Sequence, residues 1–385
     1  MSPEFTSTIV TCLWLICTSL AIIGSIYAGF AAFLLRQSLA KPPAAALIYG
    51  PRLTVLKPLC GAEPELELNL ASFCTQDYPG QVQIVLGIQD SAAPAVAVAK
   101  CVISAFPHLT IELATNAQAH GANRKISNVI NAMSHSRGEI VVLSDSDIRV
   151  GPTYLQQVAA ALQTPGVGLV TCLYRGLPVA GLWSRLAAAE IDHRFLPNVL
   201  VGLRLGLAKP CFGSTIAVRA ETLRRIGGFE PFASQLADDY AMGMAVRGLG
   251  LGVAIPPIVI DHVCSEGSFA ELARHELRWA RTVRLVDPLG YVGSVITHPL
   301  PFALAAAALQ GFGVTSLAIF ALVLACGLLV PLQFGLSLGG RVPVWLTPVR
   351  DLLSFAIFLA SFLPWRVTWR GRRYKVGADG TLTPA

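Results

Sequence analysis

Two places in the 385-residue chain set aspartates close together. Asp145-Ser146-Asp147 closes the apolar run Ile140 to Ser144, and this spacing lets both carboxylates share one divalent cation that also grips a diphosphate. Oxygen ligands of this kind suit Mg2+ or Mn2+. The same residue types also favour an ordinary turn, where Asp and Ser side chains bond to nearby backbone. Asp238-Asp239-Tyr240 opens a helical stretch reaching about Arg247, a place where carboxylates cap backbone N–H groups and meet the helix dipole. Capping alone would not need two, and adjacent like charges raise one another's pKa. One of the pair could therefore take a proton from an attacking hydroxyl.

Cationic and polar groups accompany these carboxylates. Ser268 to Leu285 has the pattern of an amphipathic helix, with Arg274, Arg278 and Arg281 on one face and Trp279 beside Arg278. Such a stripe can lie on anionic headgroups or bring guanidinium forks to a departing diphosphate. Asn123, Arg124, Lys125 and Asn128 open another helix, which could hold phosphate or ribose hydroxyls or be a solvated helix start. His193, in Ile191-Asp192-His193-Arg194-Phe195, is either a substrate contact or a structural histidine. Gly248, Gly250 and Gly252 precede an apolar run instead of following a strand and opening a helix, so they read as a turn. No Ser-His-Asp, zinc or P-loop pattern competes.

These groups need a scaffold. Short apolar runs at Leu53 to Leu59, Val82 to Ile88, Thr110 to Ala114 and Ile140 to Ser144 alternate with helical stretches. That alternation predicts an α/β domain of βαβ units around a mixed, mostly parallel sheet. Ligands of such sheets sit at the carboxyl ends of strands, which is where Asp90, Asp145 and Asp147 fall.

Composition places the domain beside a membrane. Hydrophobic residues make up 54% and charged residues 14%, against about 25% charged in an average globular protein. Ile9 to Leu35 carries no charge and exceeds the about 20 residues that cross a bilayer. No basic residue precedes this run, and no small-residue cleavage site stands before Arg36, so it reads as an uncleaved anchor. Arg36, Lys41 and Arg52 after it predict a cytoplasmic central domain. Further on, Pro299 to Leu338 and Leu352 to Trp365 are apolar, and Arg366, Arg370, Arg372, Arg373 and Lys375 follow. A cytoplasmic basic tail requires an even number of spans before it, and two are expected, with Pro299 to Gly313 partly interfacial. The expected division is an anchor over residues 1–40, a cytoplasmic catalytic domain over 41–290, membrane helices over 291–370 and a basic tail over 371–385. A net charge of +6 does not imply nucleic acid, because many of the basic residues flank apolar runs or lie on one helix and no zinc-finger or RNP pattern is present. Nine cysteines without CxxC pairs predict reduced, buried thiols.

Taken in order, these motifs resemble the lipid glycosyltransferases of the GT-A fold, and within them the ceramide glucosyltransferase-like family. The likeness runs through Lys57-Pro58-Leu59 with Gly61, Gln76-Asp77-Tyr78-Pro79, Gln89-Asp90, Asn123 to Asn128, Asp145 to Val150, Asp238 to Tyr240 and His275-Glu276-Leu277-Arg278-Trp279. Within the family, Val167 to Gly176, Gln235 to Tyr240 and Ile296 to Pro301 most resemble the bacterial hopanoid-biosynthesis-associated glycosyltransferases. The resemblance implies an inverting transfer from a UDP-sugar donor, best UDP-GlcNAc, to a membrane lipid acceptor, best bacteriohopanetetrol, at a bacterial inner membrane. It implies Asp90 at the uracil, Lys125, Asp145 and Asp238 at the donor, Asp147 with Asp145 at Mg2+ or Mn2+, and Asp239 as general base. Arg278 and Trp279 would meet the diphosphate and the acceptor, with His193 and His275 on the donor side. His275 departs from the Gln or Arg that related enzymes often carry there, and ceramide members can have Gly where Asp147 stands. The alternatives are UDP-glucose with ceramide, a processive polysaccharide synthase, for which about three spans wall no channel, and a non-enzymatic membrane protein.

Overall fold

The computed structural model describes residues 3–40, 42, 47–61, 63–341, 343–363, 367–369, 372–377 and 380–384. The chain forms two compact units, one made of Met1–Ala40, Ala180–Ala208 and Glu266–Pro364, the other of Lys41–Val179, Lys209–Ser265 and Trp365–Ala385.

The second unit is built on strands β1 (Leu53–Leu59), β2 (Val82–Ile88), β3 (Thr110–Thr115), β4 (Ile140–Leu143), β5 (Ile148–Arg149), β6 (Val167–Val170), β7 (Leu173–Pro178), β8 (Ile216–Arg219), β9 (Gly252–Ala254) and β10 (Val259–Cys264). The four expected strands stand within one residue of their predicted bounds; β1, β2 and β4 are buried nearly throughout, as strands covered on both faces are, whereas β3 is the partly exposed edge of the sheet. Seven of them form a sheet in the order β3-β2-β1-β4-β8-β6-β9. β3, β2, β1 and β4 are mutually parallel, whereas β8 runs antiparallel to both β4 and β6, so the sheet is mixed. Leu53 pairs with Val82 on one side and Ile140 on the other, so these strands keep their carboxyl ends on one edge. Leu56, Val85, Ile126, Val141 and Ile216 fill the core beneath that edge.

A second sheet, in the order β5-β10-β7, sits past the end of β4. The apolar run after Gly252 divides into β9 and β10 because Pro256 and Pro257 offer no N–H to a ladder. Gly250 turns the chain before β9 at φ +77°. A third sheet, of β11 (Val367–Trp369), β12 (Arg372–Val376) and β13 (Leu382–Pro384), is antiparallel throughout. Residues expected as a plain basic tail thus form strands, and Arg366 and Arg370 lie outside the described residues.

The first unit is helical. Phe5–Leu39 and Val314–Leu338 are long and apolar enough to cross a membrane, and the helices Pro288–Thr297 and Pro299–Leu309 would make a third crossing if the 58° bend between them lies within one span. The helix Thr347–Ala360 has 14 residues, fewer than the about 20 a span needs, and it carries the buried Arg350. By length the bent pair, and not the helix Thr347–Ala360, is the candidate for a second C-terminal crossing. Gly24 permits the close approach of the N-terminal helix, since a Cβ there would stand 2.5 Å from the Ile296 carbonyl oxygen. All nine cysteines are free, but only Cys74, Cys172, Cys211 and Cys264 are buried, and Cys12 and Cys101 are exposed.

Asn128, one of the polar residues expected to meet a ligand, is turned into the core instead. Its amide donates to the carbonyl of Gly87 at 2.8 Å and to that of Leu59 at 3.4 Å, which ties the ends of β1 and β2 together. Asn128→Ala removes a buried donor from both carbonyls, at a cost of about 1–3 kcal/mol. Chemical denaturation should show that loss, while nucleotide affinity measured on the remaining folded protein stays as in the wild type.

Candidate active site

The carboxyl edge of the seven-stranded sheet gathers groups from four parts of the second unit. The Arg124–Met133 helix begins at Asn123, whose side chain accepts from the Ile126 N–H at 3.1 Å. This cap places Lys125 in the first turn. The Lys125 Nζ stands 2.7 Å from Asp145 Oδ1 and 3.5 Å from Asp238 Oδ2. The Asn123 amide also donates to Asp238 Oδ1 at 3.0 Å and to the Gln235 carbonyl at 2.9 Å. Asp239 accepts from the N–H of Gly213 at 2.9 Å and from that of Tyr240 at 2.8 Å. Gly213 is required there, because a Cβ would meet Asp145 Oδ2 at 2.8 Å and Lys125 Nζ at 3.0 Å.

Residues 145–148 do make a turn, closed by the Ile148 N–H to the Asp145 carbonyl at 3.3 Å. Neither carboxylate is spent on that bond. Asp145 faces Lys125, and Asp147 Oδ2 lies 3.5 Å from His262 Nε2, while Asp147 Oδ1 is buried with no hydrogen-bond partner. Likewise Asp238 does not cap its helix: the N-cap is Ala237, and the Asp238 carboxylate points to Asn123 and Lys125. A turn and a cap therefore explain the positions of these residues but not the directions of their side chains.

Three contributors have weak sequence signals. His262 reaches Asp147 because β10 pairs antiparallel with β5, with His262 opposite Ile148. Lys57, on β1, is fully buried and donates to the Asp145 carbonyl and to Ser144 Oγ, with its ammonium 4.1 Å from the centre of the Phe73 ring. Glu63 is hydrogen-bonded to Ser146 and keeps one buried oxygen without a partner. Only the Lys57-Pro58-Leu59 match to the family hinted at any of them.

Burial pushes the Asp145 carboxyl above its usual range, opposed by Lys125. Asp239 rises to about 6, first through burial and then through the charge of Asp238. Burial alone would lower the Lys125 ammonium, but Asp145, Asp238 and Asp239 outweigh it and hold it above its ordinary value. Burial brings Lys57 down to about 7 against the pull of Asp147, Asp145 and Glu63.

Asp90 ends β2, exposed, with its carboxylate accepting from the Ala92 N–H at 2.9 Å. β1 separates β2 from β4, so Asp90 and Asp145 mark strand ends about 10 Å apart, two strand spacings.

The remaining expected residues belong to the helical unit. His193 lies in a π-helical turn, Ile191–Phe195, with its Nδ1 buried and unpartnered. Burial lowers its imidazole to about 4, so it is neutral at pH 7. The amphipathic helix runs from Phe269 to Val286, capped by Ser268 accepting from the Glu271 N–H at 3.2 Å. His275 Nδ1 lies 2.7 Å from Glu266 Oε1, and the His275 ring packs edge-on against Trp279 with centroids 4.5 Å apart. Arg350 forks onto Glu276, with both N–O distances 2.7 Å, and so fixes the rotation of the helix that carries Arg278 and Trp279.

The mixed sheet, with acidic strand ends and a lysine at their centre, is that of the GT-A fold of glycosyltransferases. A mannosyltransferase from Pyrobaculum calidifontis, solved in complex with GDP-Man and Mn2+, shares the fold at a TM-score of 0.51 and 21% identity, covering 91% of this chain and 98% of that one. The chain belongs to glycosyl transferase family 21, which it matches over residues 16–382, and it is a sugar-transferring enzyme. Ceramide glucosyltransferase 1 of Caenorhabditis elegans is 22% identical over 348 residues, 86% of this chain and 73% of that protein. The ceramide glucosyltransferase of Komagataella phaffii is 27% identical over 249 residues, 58% of this chain and 48% of that protein.

The raised pKa of Asp239 carries a stability consequence. Its folded value of about 6 exceeds the ordinary 3.8, so ionising it costs stability, and that cost grows as pH rises from about 4 through 6. Asp239→Asn should therefore melt at a higher temperature than the wild type at pH 8, and the advantage should shrink toward pH 4. Calorimetry at both pH values reads the difference.

Proposed function

We propose that this enzyme is an inverting lipid glycosyltransferase that moves GlcNAc from UDP-GlcNAc to a hydroxyl of bacteriohopanetetrol. What supports a transferase of this chemistry most is the convergence of Asp145, Asp238 and Asp239 on Lys125, beside an Asp147 oxygen that none of the described residues satisfies.

The donor set fits Mg2+ or Mn2+ as a diphosphate carries it. Among the described residues no three ligating side chains group to hold an ion alone, but such ions are commonly held by one or two carboxylates plus substrate phosphates. Asp147 would be the principal protein ligand, since Asp145 already faces Lys125. When bound, the ion supplies charge neutralisation for the departing diphosphate.

The chain's own groups do the rest. Gly213 and Tyr240 N–H groups fix the Asp239 carboxylate, which takes the proton of the acceptor hydroxyl. The acceptor oxygen bonds to the anomeric carbon as the bond to the diphosphate breaks, UDP leaves with the electron pair, and the configuration inverts. Lys125 holds Asp145 and Asp238 in place and adds a cation where the diphosphate arrives. Asp90 marks the uracil end of the donor and Asp145 the phosphate end. By the family pattern, Arg278 and Trp279 serve the diphosphate and the acceptor, and His193 and His275 the donor.

The membrane reading rests on the two apolar helices, and Arg36 and Arg52 favour a cytoplasmic catalytic unit at a bacterial inner membrane. β12 and β13 belong with the catalytic unit, which supports an even number of crossings by the chain between. Transfer of glucose to ceramide is the second reading, favoured by the two named relatives.

Radiolabelled transfer by detergent-purified protein, offering UDP-GlcNAc and UDP-glucose with bacteriohopanetetrol and ceramide, should give GlcNAc on the hopanoid. Glucose on ceramide would replace that assignment, and transfer in no combination would overturn both. Asp239→Asn should lower kcat by about 10²–10⁴. The kcat/KM of the wild type should fall on acidification below about pH 6, as Asp239 takes up a proton. Chelation with EDTA should stop transfer, and added Mg2+ or Mn2+ should restore it.

A further inference from the structure

The segment that leads into Asp239 is irregular. Between the short turn Glu230–Phe232 and the helix beginning at Asp238, the chain has no helix or strand of its own. Buried backbone of that kind must find its hydrogen bonds elsewhere, and it finds them on two sides.

On one side stands the turn before Lys125. The Asn123 N–H donates to the Ala233 carbonyl at 2.8 Å, and the Ala122 N–H to Ser234 Oγ at 3.3 Å. Gly121 allows this closeness, since a Cβ there would stand 2.2 Å from the Ala233 carbonyl oxygen. On the other side stands β13. The Leu382 N–H donates to the Ser234 carbonyl at 2.7 Å, the Leu236 N–H donates to the Gly380 carbonyl at 3.0 Å, and Gln235 bridges Thr381 in antiparallel register. Leu382 is 2% exposed and Leu236 8% exposed. β13 is itself held in place by β12, where Val376 pairs with Leu382, and by the turn that Gly380 makes at φ +82°.

We infer that the C-terminal segment around Leu382 is a positioning strap for the general base, clamping residues 234–236 so that Asp238 and Asp239 meet Lys125 and Gly213. The inference rests on Asp239 being the base of the proposed transfer. Without the strap, Ser234 and Leu236 lose these backbone partners, and the loop is left with its contacts to residues 122–123 and the local turn bond from the Gln235 N–H to the Phe232 carbonyl at 3.1 Å. Lys125, Asp145, Asp147 and Asp90 are held by other elements, and Asp238 keeps Lys125 and Asn123 as partners, so nucleotide binding depends on the strap far less than turnover does.

The test compares full-length protein, a chain ending at Gly377, Leu382→Glu and Leu382→Ile. Three quantities are read on each: kcat for sugar transfer, Kd for UDP with Mg2+, and amide hydrogen exchange over residues 234–241. A small misplacement of a catalytic group costs about 10²-fold. The truncated chain and Leu382→Glu should therefore lose roughly 10- to 100-fold in kcat, with UDP affinity held within about threefold and faster exchange at 234–241. Leu382→Ile, which keeps the apolar contact and the backbone pairing, should restore all three. Wild-type kcat in the truncated chain, or loss of UDP binding in step with kcat, would overturn the strap. If the wild type transfers no sugar at all, the proposed reaction fails, and unchanged exchange over 234–241 in the truncated chain would separately overturn the strap.

Discussion

One ammonium group holds this site together. Asp145, Asp238 and Asp239 come from segments far apart in the chain, and all lie close enough to Lys125 to shift its charge equilibrium. Without a cation between them, carboxylates this close would repel by about 4 kcal/mol per pair at 4 Å and an effective dielectric of 20. The proposed diphosphate would add more negative charge to the same place, and an acidic site can receive an anion only with cations to spare, which is the physical argument for the divalent ion proposed at Asp147.

The geometry around Lys125 also explains several constraints that look unrelated. Gly213 is small because its N–H must reach Asp239 while its α-carbon lies against Asp145 and Lys125. Asn123 does three jobs with one side chain, capping the lysine's helix, orienting Asp238 and gripping the Gln235 carbonyl. Lys57 holds the backbone of Asp145 from below, so the strand end itself is anchored by a second amine. None of these residues needs to touch a substrate for its loss to be felt.

Much of this was legible in the sequence, and the parts that were not share a cause. The parallel strands announced themselves as short, mostly apolar runs between helical stretches, and position at a strand's carboxyl end singled out Asp145 and Asp147 without any contact being known. His262 gave no such signal, because it meets Asp147 through an antiparallel register between β5 and β10, which are separated by more than a hundred residues. Asn128 looked like a ligand-facing residue of a helix start, but helical periodicity places it on the inner face, where it bonds to two strand carbonyls. Glu276 sat in a motif read for its arginine and tryptophan, and only the fold shows it buried against Arg350. The C-terminal residues read as a charged tail because Arg372, Arg373 and Lys375 dominate their composition, whereas backbone pairing, which composition does not encode, makes them a sheet.

The return of β13 to the catalytic unit has a bearing on how the protein is made. The ribosome releases the sheet strands β1 to β10 first, then the apolar helices, and only then the residues that pair with Ser234 and Leu236. At about 5–20 residues per second, more than a hundred residues separate β10 from β13 by several seconds at least. During that interval the catalytic unit can collapse around its core but lacks its final strand. Completion of the enzyme thereby becomes coupled to the emergence of its hydrophobic helices, and a nascent chain stalled before them would hold a folded domain with an unfinished edge.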